Sequence, residues 1–205
     1  LDLKRFINKN KKIIIYTNFK KNYEIIKKLG LPVILFNNSF IDKIILKLSF
    51  YKFFRILFNF FDLNISLEKK LISNNIDFIY FPVISNTVFA IKKIKYVTTL
   101  LDLEHFKHSI YPEITKQEFL CREKLYFHCL PKSKLIITSY ESIKKEISKK
   151  YSISLKKIFV ISYTPSRLFN SRKVDYSKVQ KQLQNLNKYY FYPAQIWRHK
   201  NHISI

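Results

Sequence analysis

The chain has 205 residues, and its 38 Lys and Arg against 14 Asp and Glu give a formal net charge of +24. With 47% hydrophobic and 17% aromatic residues it carries too much apolar side chain for a disordered polypeptide. Its length suffices for one domain with a sizeable core and part of a second, and a single glycine, Gly30, excludes most glycine-rich phosphate loops.

Two readings of the charge stand side by side. Such a balance points to an anionic partner: nucleic acid, an acidic membrane or a phosphorylated substrate. Alternatively, it is drift on solvated faces. Alanine occurs only at Ala90 and Ala194 while Lys, Ile, Asn, Phe and Tyr abound, the skew that AT-rich codons produce.

Taken in chain order, near-continuous apolar runs alternate with helical patterns. The runs Lys12–Thr17, Pro32–Phe36, Asp77–Phe81, Lys95–Leu100, Lys134–Ser139 and Lys157–Ser162 read as strands buried on both faces. Between them, Asn22–Leu29, the Phe40–Phe61 region, Glu68–Asn74, Lys116–Leu130 and Tyr140–Tyr151 read as helices. The alternation predicts an α/β fold with an open, Rossmann-like, doubly wound parallel sheet. Gly30 after Lys27 and Lys28 suits a helix C-terminus, and Ser139 is placed to cap the helix that follows it. Pro32 and Pro82 fit strand ends, where no ladder N–H is needed.

Phe40–Phe61 is the most apolar stretch, but Asp42, Lys43, Lys47, Lys52, Arg55 and Asn59 disqualify it as a membrane-spanning helix. Ile41, Ile44, Ile45 and Leu48 recur at helical spacing with Lys43 and Lys47 on another face. That pattern fits a core-facing helix or a basic amphipathic helix lying on an anionic membrane. Cys121 and Cys129 fall eight residues apart in one helix, about 12 Å along its axis and too far to bridge. They make no disulfide framework, and a reducing, cytosolic setting fits.

After Ser162 the texture becomes polar. Tyr163–Asn187 reads as a connection carrying one helix near Tyr176–Leu186, and Lys188–Pro193 as the first strand of a new unit. The expected organisation is an N-terminal domain over residues 1–162, a connection over 163–187, and the start of a second Rossmann-like domain over 188–205. The absence of Met and of a signal-peptide pattern, with an apolar run at the end (Ile203, Ile205), leads to the expectation of a fragment.

Two segments carry chemistry. Leu101-Asp102-Leu103-Glu104-His105 directly follows the Lys95–Leu100 strand, and open α/β sheets place ligands at the carboxyl ends of their strands. An Asp, a Glu and a His delivered there can orient a hydroxyl or contact a phosphate; equally, Asp102 can cap the loop while His105 packs or faces solvent. The segment Tyr190–His202 runs from a strand into a basic loop and an apparent helix start. A helix N-terminus beside Lys200 would make an anion site suited to a diphosphate; a plain basic surface loop fits too. His108 and His128 join no cluster at metal-ligand spacing, and no metal or cofactor is expected.

The order of these segments resembles glycosyltransferase family 4, the large "group 1" family of retaining GT-B enzymes. The residues that carry it begin with Leu101-Asp102-Leu103-Glu104-His105 and Tyr111-Pro112-Glu113-Ile114. Arg122-Glu123-x-x-Tyr126, Leu130-Pro131-Lys132-Ser133 and Ile136-Ile137-Thr138-Ser139 follow. The last is Tyr192-Pro193-Ala194-Gln195-Ile196-Trp197-Arg198-His199-Lys200-Asn201-His202. The likeness runs from about Leu100 onward; before that it is architectural. It implies that Asp102 and His105 lie near the transferred sugar and the acceptor, and that Gln195, Lys200 and Asn201 contact the donor diphosphate. Gln195 stands where many relatives carry Arg, Leu101 replaces an aromatic or His, and Tyr140 replaces a Glu. The family's Glu-x7-Glu donor motif, and the first strand with its glycine loop, have no counterpart here.

The implied function is transfer of a sugar from a nucleotide-sugar donor to a polysaccharide, glycolipid or lipid-linked acceptor, with retention. The implied setting is cytoplasmic or peripheral on the inner face of the cell membrane, with no specific nucleic acid partner. The alternatives are a non-catalytic basic module for anionic membrane or nucleic acid, and an inactive gene remnant.

Overall fold

The computed structural model describes residues 13–107, 113–162 and 191–204, with positions 177, 180, 181 and 184 between the last two. Most of the anticipated helix near Tyr176–Leu186 and of the 163–187 connection, with residues 188–190 of the new strand, therefore lies outside the described residues, as do Tyr111, Pro112 and His108.

The chain is α/β. Strands β1 (Ile15–Thr17) and β2 (Val33–Leu35) pair in parallel, Ile15 opposite Val33. β3 (Phe78–Phe81), β4 (Lys95–Thr99), β5 (Leu135–Thr138) and β6 (Ile158–Val160) form a four-stranded sheet in that order. Within it β4 runs parallel to β5 and β5 to β6, with Val97 opposite Leu135 and Ile136 opposite Ile158. All six strands fall inside the apolar runs read from the sequence, but they make two sheets rather than one. They are also less enclosed than a doubly covered sheet requires. β3 and β5 alternate between more and less exposed positions, and Phe78, Tyr80 and Phe159 are about half exposed.

Two compact units divide the chain: Leu1–Tyr80 with Ser85–Tyr96, and Phe81–Ile84 with Val97–Ile205. In the first, β1 leads into α1 (Lys20–Lys28), which stops at Gly30. Gly30 has φ 67°, a conformation that costs a residue with a Cβ. Its N–H reaches Lys27 O (2.9 Å) and that of Leu31 reaches Ile26 O (3.3 Å), which closes the helix as a Schellman motif. The Phe40–Phe61 region is two helices, α2 (Phe40–Leu48) and α3 (Lys52–Phe60), interrupted at Ser49–Tyr51. α2 opens with a capping box. The Asp42 N–H donates to the Ser39 hydroxyl (3.1 Å), and Asp42 Oδ2 accepts the Ser39 N–H (2.8 Å). The other oxygen of Asp42 accepts the Ser66 N–H (2.7 Å) at the start of α4 (Ser66–Ser73), so one buried carboxylate fixes two helix starts. Burial pushes the Asp42 carboxyl up, but these N–H donors outweigh it and hold it below the usual carboxylate range.

The second unit packs α5 (Lys116–Lys132) and α6 (Glu141–Tyr151) with β4–β6. Its core joins Leu100, Leu103, Leu130, Ile136, Ile147, Tyr151, Ile153 and Ile158. α5 is capped by the Thr115 hydroxyl, which accepts the Glu118 N–H (3.1 Å). Ser139 does not cap α6 as expected: the N-cap is Tyr140, without a side-chain bond, and Ser139 is buried one residue earlier. Cys121 is exposed on α5 and Cys129 buried, both as free thiols. Among the described residues no helix is long and apolar enough to cross a membrane.

Candidate functional site

The site in the second unit is built outward from the end of β4. Leu100 extends the ladder, its N–H donating to Ile137 O (2.8 Å), and Leu103 drops into the core. The residues between these two anchors must bridge over the carboxyl edge of the sheet, and there Asp102 is exposed. Its Oδ1 accepts the Glu104 N–H (3.1 Å), starting the 3₁₀ turn Glu104–Lys107.

That turn rotates His105 inward until it is 0% exposed. Phe106, Phe119 and Tyr126 surround the imidazole with ring centroids at 4.3, 5.7 and 5.3 Å. Its Nε2 lies 2.8 Å from Glu123 Oε1 on α5; a carboxylate accepts only, so Nε2–H is the donor. Tyr151 at the end of α6 donates its hydroxyl to the same oxygen (2.7 Å). Lys150 places its ammonium 3.9 Å from Glu123 Oε2 and 3.1 Å from the Phe106 ring centroid. Among the described residues His105 Nδ1 has no hydrogen-bond partner.

Electrostatics follow from this burial. The Tyr151 hydroxyl is pushed far above the ordinary tyrosine range, first by burial and then by its bond to Glu123. Burial likewise raises Tyr126, with the carboxylates of Asp102 and Glu123 adding to the effect and Arg122 opposing it.

Asp102 and His105 thus part company. Asp102 presents its side chain at the edge of the sheet, and His105 locks the loop behind it to α5. The sequence pattern had placed both near a substrate without assigning Glu123 a partner. The available signal was the Arg122-Glu123-x-x-Tyr126 spacing, which puts Glu123 and Tyr126 on one helix face. The structure brings both of them onto His105.

The segment 191–204 holds the other candidates. Two 3₁₀ turns, Arg198–Lys200 and His202–Ser204, flank Asn201, whose φ of 52° is left-handed. Tyr192 donates its hydroxyl to Lys200 O (2.9 Å), and His202 Nε2 lies 2.8 Å from Gln195 O. These bonds fold the loop on itself and leave the side chains of Gln195, Lys200 and Asn201 exposed. Among the described residues, these two three-residue turns stand where the helix start was anticipated.

Glu113 ties this segment to the rest of its unit: its Oε1 accepts the His199 N–H (3.2 Å) and lies 3.2 Å from His199 Nδ1. Burial raises the Glu113 carboxyl, but its backbone and His199 bonds prevail and hold it below the usual range. Among the described residues no group of three or more His, Cys, Asp or Glu is arranged to hold a metal ion.

No protein-family model matches the chain. No curated protein matches it either. Among solved structures, a glycosyltransferase from Rickettsia africae ESF-5 is similar with a TM-score of 0.45 and 16% identity over 83% of this chain. The chain spans 40% of that structure.

Proposed function

We propose that this chain is the acceptor-side part of a retaining GT-B glycosyltransferase, together with the first residues of its donor side. The observation that carries the reading is the meeting of Asp102-x-x-His105 with Arg122-Glu123-x-x-Tyr126. These two segments come from different parts of the sequence resemblance, and they form one constellation through the His105–Glu123 bond and the His105–Tyr126 ring contact. Surface drift in a basic binding module would not bring them together around a buried imidazole.

In this reading Asp102 accepts a hydrogen bond from the acceptor hydroxyl, and His105 acts behind it by fixing the loop's position. The C1–O bond to the diphosphate breaks, and the acceptor oxygen bonds to C1 on the same face. The hydroxyl proton leaves with the departing diphosphate. Lys200, with Gln195 and Asn201, supplies positive charge and donors to the phosphates as negative charge develops. The donor is a nucleotide sugar and the acceptor a glycan or lipid-linked saccharide.

The test is calorimetric titration of the protein from its complete reading frame with nucleoside diphosphates, alongside Lys200→Ala. Binding that weakens about tenfold in the variant, the share of one charged hydrogen bond, supports the diphosphate role. Equal affinity in both proteins removes it.

A further inference from the structure

The outward side of α2 and α3 is apolar where a surface helix should be polar. On α3, Phe53, Ile56, Leu57 and Phe60 follow helical spacing and all face solvent, with Phe53 69% and Phe60 82% exposed. The inward side is apolar as well: Phe58 is buried, and Phe54 packs on it with ring centroids 6.1 Å apart. Lys52, Arg55 and Asn59 line one strip of α3 and the rest of its surface is apolar; a helix with apolar residues on both its inner and its outer side is normally covered on both. On α2, Phe40 is 77% exposed, and Ile41 and Ile44 are exposed with it.

The two helices are held firmly from beneath, so this face is not the result of a loose hairpin. Arg55 Nη1 donates to Ser49 O (2.7 Å) and Phe50 O (3.0 Å) across the break between them. Its guanidinium also lies 4.9 Å from the Phe89 ring centroid. Lys92 Nζ donates to Phe58 O (2.9 Å) and Leu63 O (2.5 Å), which pins the end of α3.

The charge on this face decides its partner. Phe40, Lys43, Ile44 and Lys47 share one side of α2 at helical spacing, and Lys52 stands one turn before Ile56 on α3; all are exposed. The carboxylate within α2, Asp42, is buried in its capping box, and α3 contains no acidic residue. Asp62, which follows α3, is paired with Lys93 at 2.7 Å. Apolar rings interleaved with lysines, with no outward carboxylate on either helix, complement a surface that is oily beneath and negative above.

We infer that α2 and α3 form a docking face for an anionic lipid bilayer, Phe53, Ile56 and Phe60 entering the acyl boundary while Lys43, Lys47 and Lys52 meet the phosphates. Neither element alone anchors strongly; apolar insertion and basic attraction act together. This inference does not depend on the transferase reading.

The experiment is flotation of the 205-residue chain with phosphatidylcholine vesicles, and with vesicles of phosphatidylcholine and phosphatidylglycerol in equal parts. The chain is expected to float with the mixed vesicles and stay largely free with the neutral ones. Phe53→Ser with Phe60→Ser should lower partitioning about tenfold or more, because two inserted rings are lost. Lys43→Glu with Lys47→Glu should abolish the preference for anionic lipid. Lys27→Glu with Lys28→Glu on α1 removes as much positive charge from the same unit and should cost less. Circular dichroism of each variant shows whether it is folded, and these side chains lie outside the core. Three results overturn the inference: no flotation of the parent chain, an α1 variant as weak as the α2 variant, or full binding by the double serine variant. Concentration-dependent dimerisation that the serine pair abolishes would overturn it too, by making the face a protein interface.

Discussion

Glu68 and Glu123 each turn a carboxylate inward from a helix, one in each unit, and they are held in opposite ways. Glu68, fully buried on α4, accepts the backbone N–H groups of Lys92 and Lys93 at 2.7 Å each. Glu123 on α5 takes side chains instead: the His105 ring at 2.8 Å, the Tyr151 hydroxyl at 2.7 Å and the Lys150 ammonium at 3.9 Å. A carboxylate bound to backbone serves the chain path, whatever residues stand at 92 and 93. One bound to side chains depends on which residues those are. The difference separates a fold anchor from a constellation that function can select.

Substitutions should reproduce that division. Glu68→Ala strands two buried N–H donors and is expected to cost about 3 kcal/mol of stability by urea denaturation, while Glu68→Gln keeps one acceptor and costs about 1 kcal/mol. If Glu68→Ala costs no more than an exposed substitution, the anchor role fails. Glu123→Ala should cost about 2 kcal/mol, since His105 and Tyr151 lose their acceptor. Unlike the Glu68 variants, it should also release the Asp102 loop, seen as faster amide exchange over residues 101–107. Loss of stability without faster exchange there would make Glu123 a fold anchor like Glu68.

Alkaline titration sharpens the same contrast. Tyr151 and Tyr126 have folded pKa values raised by burial, so they keep their protons beyond the pH at which they would lose them unfolded. Their contribution is complete below about pH 10 and declines as pH rises from there toward the folded values. Tyr151→Phe should cost about 1 kcal/mol at neutral pH and flatten that alkaline decline. An unchanged alkaline slope would mean the hydroxyl is not held as described. On the acid side Asp42, with its pKa lowered, contributes fully above about pH 4 and loses its contribution as pH falls through its folded value. Asp42→Asn should therefore reduce the acid dependence of stability. The smallest effect belongs to Phe60→Ser, which should change stability by no more than about 0.5 kcal/mol.

The strands were legible because apolar runs such as Lys134–Ser139 and Lys157–Ser162 are short and bounded by polar residues. Gly30 was legible for a local reason: a lone glycine just past Lys27-Lys28-Leu29 is a helix stop. The break at Ser49–Tyr51 was not, since apolar periodicity continues across it and the bonds from Arg55 to Ser49 O and Phe50 O are tertiary. The capping box at Ser39 and Asp42 was a local signal that the apolar run overshadowed. Ser139 misled because its hydroxyl stands one residue before the actual N-cap. At the site, the position of Asp102 after β4 followed from strand order alone. The partners of His105 did not, because Glu123 is 18 residues away and Tyr151 a further 28 beyond it.

Under the proposed function, Asp102 at the end of β4 faces the acceptor in a sugar transfer. The most direct test is release of nucleoside diphosphate from a panel of nucleotide sugars by the protein from its complete reading frame, with Asp102→Asn beside it. Acceptor-dependent release from at least one donor is expected, with turnover reduced about a hundredfold in the variant and donor KM little changed. Acceptor-dependent release that Asp102→Asn leaves intact, or no release from any donor, would contradict it.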